Sequence, residues 1–104
     1  MPQGAMYHKR TDANHKQMMI ALREAGFAVT DTSKCGWGIP DLIICRDGRC
    51  EWLEVKAGPH EGLTDAEGVF FDVCPGGPPI LAWTPTLAIA EFEQRARNDS
   101  GNSC

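Results

Sequence analysis

Residues 40–56 read PDLIICRDGRCEWLEVK, two apolar runs on either side of Asp47-Gly48. Asp-Gly between such runs is a strong signal for a hairpin closed by a two-residue type I′ turn. A turn that short fixes the register. It pairs Arg46 with Arg49, Cys45 with Cys50, Ile43 with Trp52 and Asp41 with Glu54. Side-chain alternation then puts Leu42, Ile44, Leu53 and Val55 on one face, the better core face. Asp41, Ile43, Cys45, Cys50, Trp52, Glu54 and Lys56 share the other. Charged residues are rare in strands that pack a core. Asp41, Glu54 and Lys56 at the open end of one hairpin therefore mark a candidate site.

The rest of the chain supplies helices and short strands around this hairpin. Met18, Met19, Leu22 and Ala25 recur at helical spacing and Gly26 stands at a C-cap position, which predicts a helix over 12–25 with Thr11-Asp12 as its N-terminal signal. Residues 27–30 read as a strand, and 31–40 as a polar, glycine-rich loop. Thr64 and Glu67 have capping-box spacing, which predicts a helix over 64–72. The run PGGPP at 75–79 breaks the chain. A short buried strand follows at 80–83, and Thr84-Pro85 opens a last helix to about Arg97. The expected fold is α/β, a central mixed sheet flanked by helices in the order α-β-β-β-α-β-α. Residues 11–97 form one domain, with a flexible lead at 1–10 and a frayed tail at 98–104.

Composition limits the function classes. With 104 residues there is room for one core. A net charge of −4 argues against a strong non-specific nucleic-acid binder. It does not exclude an enzyme on nucleic acid, because a metal site itself requires carboxylates. Five cysteines, an odd number with no CxxC spacing, argue against a zinc site. Reduced thiols are expected, although Cys45 and Cys50 lie symmetrically about the turn and oxidation could join them. No apolar run is long enough to span a bilayer. The start, MPQGAMYHKR, lacks the apolar segment of a signal peptide, so a cytoplasmic location and no membrane partner are the expectation.

The chemistry lies in the hairpin. Asp41 opposite Glu54 is a non-hydrogen-bonded pair, with Cβ atoms only ~4.5–5.5 Å apart. Two carboxylates this close repel unless something offsets their charge. A divalent cation would do so, since Mg²⁺ takes one or two carboxylates plus waters and phosphate oxygens. The plain alternative is a strand-start Asp41 with Glu54 and Lys56 facing solvent.

Pro40-Asp41 followed by Glu54-Val55-Lys56 resembles the PD and ExK elements of the PD-(D/E)xK nuclease superfamily. The Gly-rich loop, the Gly-Ile-Pro-Asp lead-in at 38–41 and Leu63-Thr64-x-x-Glu67 look most like its virus-type replication-repair (VRR-NUC) and Holliday-junction-resolvase-like branch. The likeness covers about residues 11–92. It implies a restriction-endonuclease-like core and metal-dependent hydrolysis of DNA phosphodiesters. The substrate would be branched or structured DNA, the chain a homodimer, and a phage or bacterial setting would fit. Asp41 and Glu54, with the main-chain carbonyl of Val55, would hold Mg²⁺ or Mn²⁺. Lys56 would position the attacking water and stabilise developing charge. The sequence departs from the family on helix one, where His15 stands in place of a usual Glu. Either His15 or Gln17 orients a metal-bound water, or the outer metal position is weak, or His15 simply faces solvent. Candidate DNA contacts are Lys16, Lys34, Gly36, Trp37, Gly38 and His60. Trp37 has two readings, a base-stacking wedge or a cap on the core. Two alternatives to the branched-DNA enzyme remain. One is a catalytically weak or inactive binding or structural module on the same fold. The other is a nuclease for flaps or for DNA without structural preference.

Overall fold

The computed structural model describes residues 2–59, 64–73 and 78–102. It places α1 (Pro2–Glu24), β1 (Ala28–Asp31), β2 (Leu42–Arg46), β3 (Arg49–Val55), α2 (Asp65–Val73), β4 (Ile80–Ala82) and α3 (Pro85–Asn102). The expected α/β class and element order are observed. One four-stranded mixed sheet runs β1-β2-β3-β4. β1–β2 and β2–β3 are antiparallel, and β3–β4 is parallel. A parallel neighbour needs a crossover, and the segment containing α2 supplies it.

The hairpin has the register that its turn demands. Arg46 faces Arg49, Cys45 faces Cys50 and Ile43 faces Trp52. Asp47 (φ 56°) and Gly48 (φ 78°) are both left-handed, as a type I′ turn requires. The ladder ends one step short of the expected carboxylate pair, at Leu42 opposite Leu53. On its other edge β3 is paired with β4, Leu53 opposite Ile80, Glu54 opposite Leu81 and Val55 opposite Ala82. Asp41 is thus a residue just before β2 rather than a ladder partner of Glu54. Its carboxylate takes the place of the missing backbone partner, as its Oδ2 accepts the Val55 N–H at 3.0 Å.

The core lies on one face of the sheet. Leu42, Ile44, Leu53, Val55, Ile80 and Ala82 are buried there against Met18 and Leu22 of α1 and Ala88 and Phe92 of α3. Phe27 meets Phe92 edge-on at 4.9 Å. The opposite face carries Trp52, which meets Phe70 of α2 edge-on at 5.4 Å. α2 therefore lies across the face that holds Glu54 and Lys56.

Three expectations need correction. α1 begins at Pro2, so residues 2–10 are helical rather than a loose lead-in. Ala5, Met6, Lys9 and Arg10 are good helix formers, and Thr11-Asp12 lies inside the helix, where the sequence pattern suggested a cap. α3 likewise continues to Asn102, through most of the segment expected to fray. Cys45 and Cys50 form a disulfide rather than two thiols. They occupy a non-hydrogen-bonded site of the hairpin, where facing residues come closest, and their Cα atoms are 4.0 Å apart. Cys35 is a free, exposed thiol. Cys74 and Cys104 lie outside the described residues. Among the described residues no helix is long and apolar enough to cross a membrane.

Candidate active site

The loop before β2 is built to place Asp41. Thr32 donates its N–H to the Asp41 carbonyl (2.8 Å) and its hydroxyl to the Pro40 carbonyl (2.7 Å). Pro40 is fully buried. Asp31 accepts from the Ser33 N–H (2.9 Å) and hydroxyl (2.6 Å), which holds the turn just after β1. Gly38 is obligatory by space as well as by its φ of 76°. A Cβ there would lie 2.2 Å from the Ala66 carbonyl oxygen. The loop thus rests on the first turn of α2.

α2 opens with the expected capping box. Glu67 Oε1 accepts the Thr64 N–H at 2.9 Å, and the Glu67 N–H donates to Thr64 Oγ1 at 3.2 Å. The same Glu67 Oε1 accepts from Lys56 Nζ at 3.0 Å. Lys56 Nζ also lies 3.6 Å from Glu54 Oε2. Asp41, Glu54, Lys56 and Glu67 therefore form one cluster beneath the start of α2. The solvent-facing reading of the hairpin charges fails, as Glu54 is only 4% exposed and Lys56 only 9%.

Burial on this scale is costly for charge, and the site shows it. Burial pushes the Glu54 carboxyl up to about 9, assisted by its hydrogen bond with Glu67 and by the charge of Asp41. Burial also raises Asp41, against the opposing pull of the Val55 N–H. Burial works against the charge of Glu67 too, but its bonds to Glu54, the Thr64 amide and Lys56 outweigh it and hold that carboxyl at about 2. Desolvation likewise opposes the Lys56 ammonium, and Glu67 and Glu54 more than compensate, so its pKa is raised. Burial thus favours a neutral Glu54, and the bond to Lys56 favours an ionised Glu67. Among the described residues Glu54 Oε1 is buried without a hydrogen-bond partner.

The donor set fits a hard divalent cation. Asp41 and Glu54 are adjacent carboxylates, one with a free buried oxygen. In a strand a residue's carbonyl and amide point to the same edge, so the Val55 carbonyl lies on the edge whose N–H meets Asp41. Two carboxylates and a carbonyl suffice for Mg²⁺, which keeps several waters. Among the described residues no group of three His, Cys, Asp or Glu side chains is arranged around a metal position.

The remaining candidates scatter. His15 Nε2 lies 3.2 Å from Asp31 Oδ1, where it is not aligned for a hydrogen bond. Its charge, when present, would favour ionised Asp41. Gln17 and Lys16 are exposed on α1. Asn14 of α1 also reaches the site, donating from Nδ2 to the Lys56 carbonyl at 2.9 Å. Gly38 packs on α2 backbone, so its close approach is to Ala66 and not to an open phosphate position. Lys34, Gly36 and Trp37 are exposed. His60 lies outside the described residues. The sequence reading missed Asn14 and the second role of Glu67. The Thr64–Glu67 spacing pointed to Glu67, but a cap alone accounted for it. The chain matches no family model, no curated protein and no solved structure.

Proposed function

We propose that this chain is a metal-dependent endonuclease with a restriction-endonuclease-like core, acting as a homodimer on branched DNA. The observation that carries the reading is Glu54. It is a carboxyl group buried beside Asp41 and Lys56, with one oxygen lacking a partner among the described residues. A fold with no use for such a group would place an apolar residue there. The likeness of Pro40-Asp41 and Glu54-Val55-Lys56 to the PD-(D/E)xK pattern supports the choice of chemistry.

In this reading Asp41, Glu54 and the Val55 carbonyl hold Mg²⁺ or Mn²⁺. A cation so held polarises a phosphate oxygen and lowers the pKa of a bound water. Glu54 would hold the cation in its ionised form, so binding would strengthen as pH rises. Lys56 supplies an ammonium with free N–H donors for the negative charge that develops on the phosphate. Glu67 keeps that ammonium charged and aimed until substrate arrives. Asn14 fixes the backbone at Lys56, and the Val55 N–H fixes the Asp41 carboxylate.

A binding-only module is favoured by one observation, the closure of Lys56 onto Glu67 and Glu54. A single assay separates the two. Labelled four-way junction, flap, linear duplex and single-stranded DNA are incubated with Mg²⁺, Mn²⁺ or EDTA, beside Asp41→Ala. Metal-dependent cleavage that disappears in Asp41→Ala is expected, fastest on the junction. Absence of cleavage on every substrate would leave the binding module.

A further inference from the structure

Trp37 is the most exposed large apolar side chain described, at 92% of its surface. That excludes the core-capping reading. It also sits in a backbone conformation that tryptophan disfavours. Gly36 (φ 74°), Trp37 (φ 61°) and Gly38 (φ 76°) are consecutive left-handed residues. The Ile39 N–H closes the turn onto the Gly36 carbonyl at 3.1 Å, with Trp37 and Gly38 as its central residues. Such a turn favours Asn, Asp or Gly at the position Trp37 takes. The fold thus carries a side chain that is both strained and unburied, and neither property helps it fold.

The turn is rigidly mounted. Gly38 is wedged against the Ala66 carbonyl on one side, and buried Pro40 leads into Asp41 on the other. Trp37 is therefore held on a mounted turn four residues before Asp41 in the chain. Lys34, exposed in the same loop, makes no ion pair among the described residues. A mounted, exposed aromatic ring with a lysine three residues before it in the same loop suits a nucleobase whose phosphates neighbour it. Stacking needs a free base face, and a continuous duplex offers none along its length. We propose that Trp37 is a stacking platform for an unpaired base next to the cleaved bond, so that the site selects DNA whose duplex is interrupted there. This rests on the nuclease reading for its substrate and deepens it.

The test uses a forked DNA with 2-aminopurine at the branch and a continuous duplex of matched sequence. Binding is measured with Ca²⁺ and cleavage with Mg²⁺. Wild type, Trp37→Phe and Trp37→Asn are compared, the last because Asn suits the turn and keeps the fold. Wild type should quench the branch fluorophore on binding and prefer the fork. Trp37→Asn should lose the quenching and roughly 10- to 100-fold in affinity for the fork. Its duplex affinity and melting temperature should not fall, and Trp37→Phe should retain most of the wild-type behaviour. Equal fork binding and quenching by Trp37→Asn would overturn the proposal. So would an equal loss on duplex, or a change in oligomeric state, which would make Trp37 a subunit contact. Cleavage by wild type that Trp37→Asn matches would sink the platform and keep the nuclease. Trp37-dependent quenching without any cleavage would do the reverse, and no binding by wild type would end both.

Discussion

Glu54 is the residue at which folding and function pull in opposite directions. Its carboxyl rises from 4.5 to about 9 on folding. The folded state therefore binds this proton more tightly than the unfolded chain, and Glu54 subtracts increasingly from stability as pH climbs between those values. Glu67 contributes in the opposite sense. Held at about 2, it adds stability that is complete above 4.5 and lost as pH falls toward 2. In EDTA the melting temperature of the wild type should thus decline from about pH 5 to pH 9 through this pair. Glu54→Gln should flatten that decline and be more stable by about 1–3 kcal/mol at the alkaline end, while abolishing metal-dependent cleavage. Calorimetry across pH reads the first part and a cleavage assay the second. A Glu54→Gln protein less stable than wild type at every pH would contradict the assignment. Lys56→Met should lower the cleavage rate by roughly 10²–10³-fold with substrate affinity little changed. At this scale Asp41, Glu54 and Lys56 were legible because charges are conspicuous in apolar strands. Asn14 was not, since its bond to the Lys56 carbonyl joins positions far apart in the chain. Glu67 was hidden by the capping box, which explains its presence without any reference to the site.

The hairpin and the start of α2 are the elements that create the site. Register was legible because a two-residue turn leaves no freedom in pairing. Where the ladder stops was not, because at Asp41 a side-chain carboxylate rather than backbone meets the Val55 N–H, and that depends on how the preceding loop is mounted. Helix ends were the weakest part of the sequence reading, since good helix formers extend α1 and α3 past plausible caps. The Cys45–Cys50 bridge spans the hairpin near its turn, away from Asp41 and Glu54. Reduction should cost about 2 kcal/mol for so short a loop and leave the cleavage rate within about threefold. Melting and cleavage with and without reductant check both. Gly38→Ala should do the opposite. The added methyl would push against the Ala66 carbonyl, displace the first turn of α2 from the site and reduce cleavage far more than it reduces secondary structure. Parallel circular dichroism and activity measurements separate those effects.

For the whole molecule, an acidic chain of net charge −4 would have to concentrate any attraction for DNA locally. A cation held by Asp41 and Glu54 would offset the negative charge that their ionised carboxylates would otherwise present to a phosphate. Cation binding should then stabilise the folded state, by about 2.7 kcal/mol at a hundred times its dissociation constant. The central claim is that Asp41 and Glu54 form a metal centre, and it can be tested without knowing the right DNA. Mn²⁺ is titrated into wild type, Asp41→Ala and Glu54→Gln at about pH 8, with free ion followed by electron paramagnetic resonance. A saturable site in wild type that is lost in both variants is the expected result. Mn²⁺ that binds all three equally, or none of them, would contradict it.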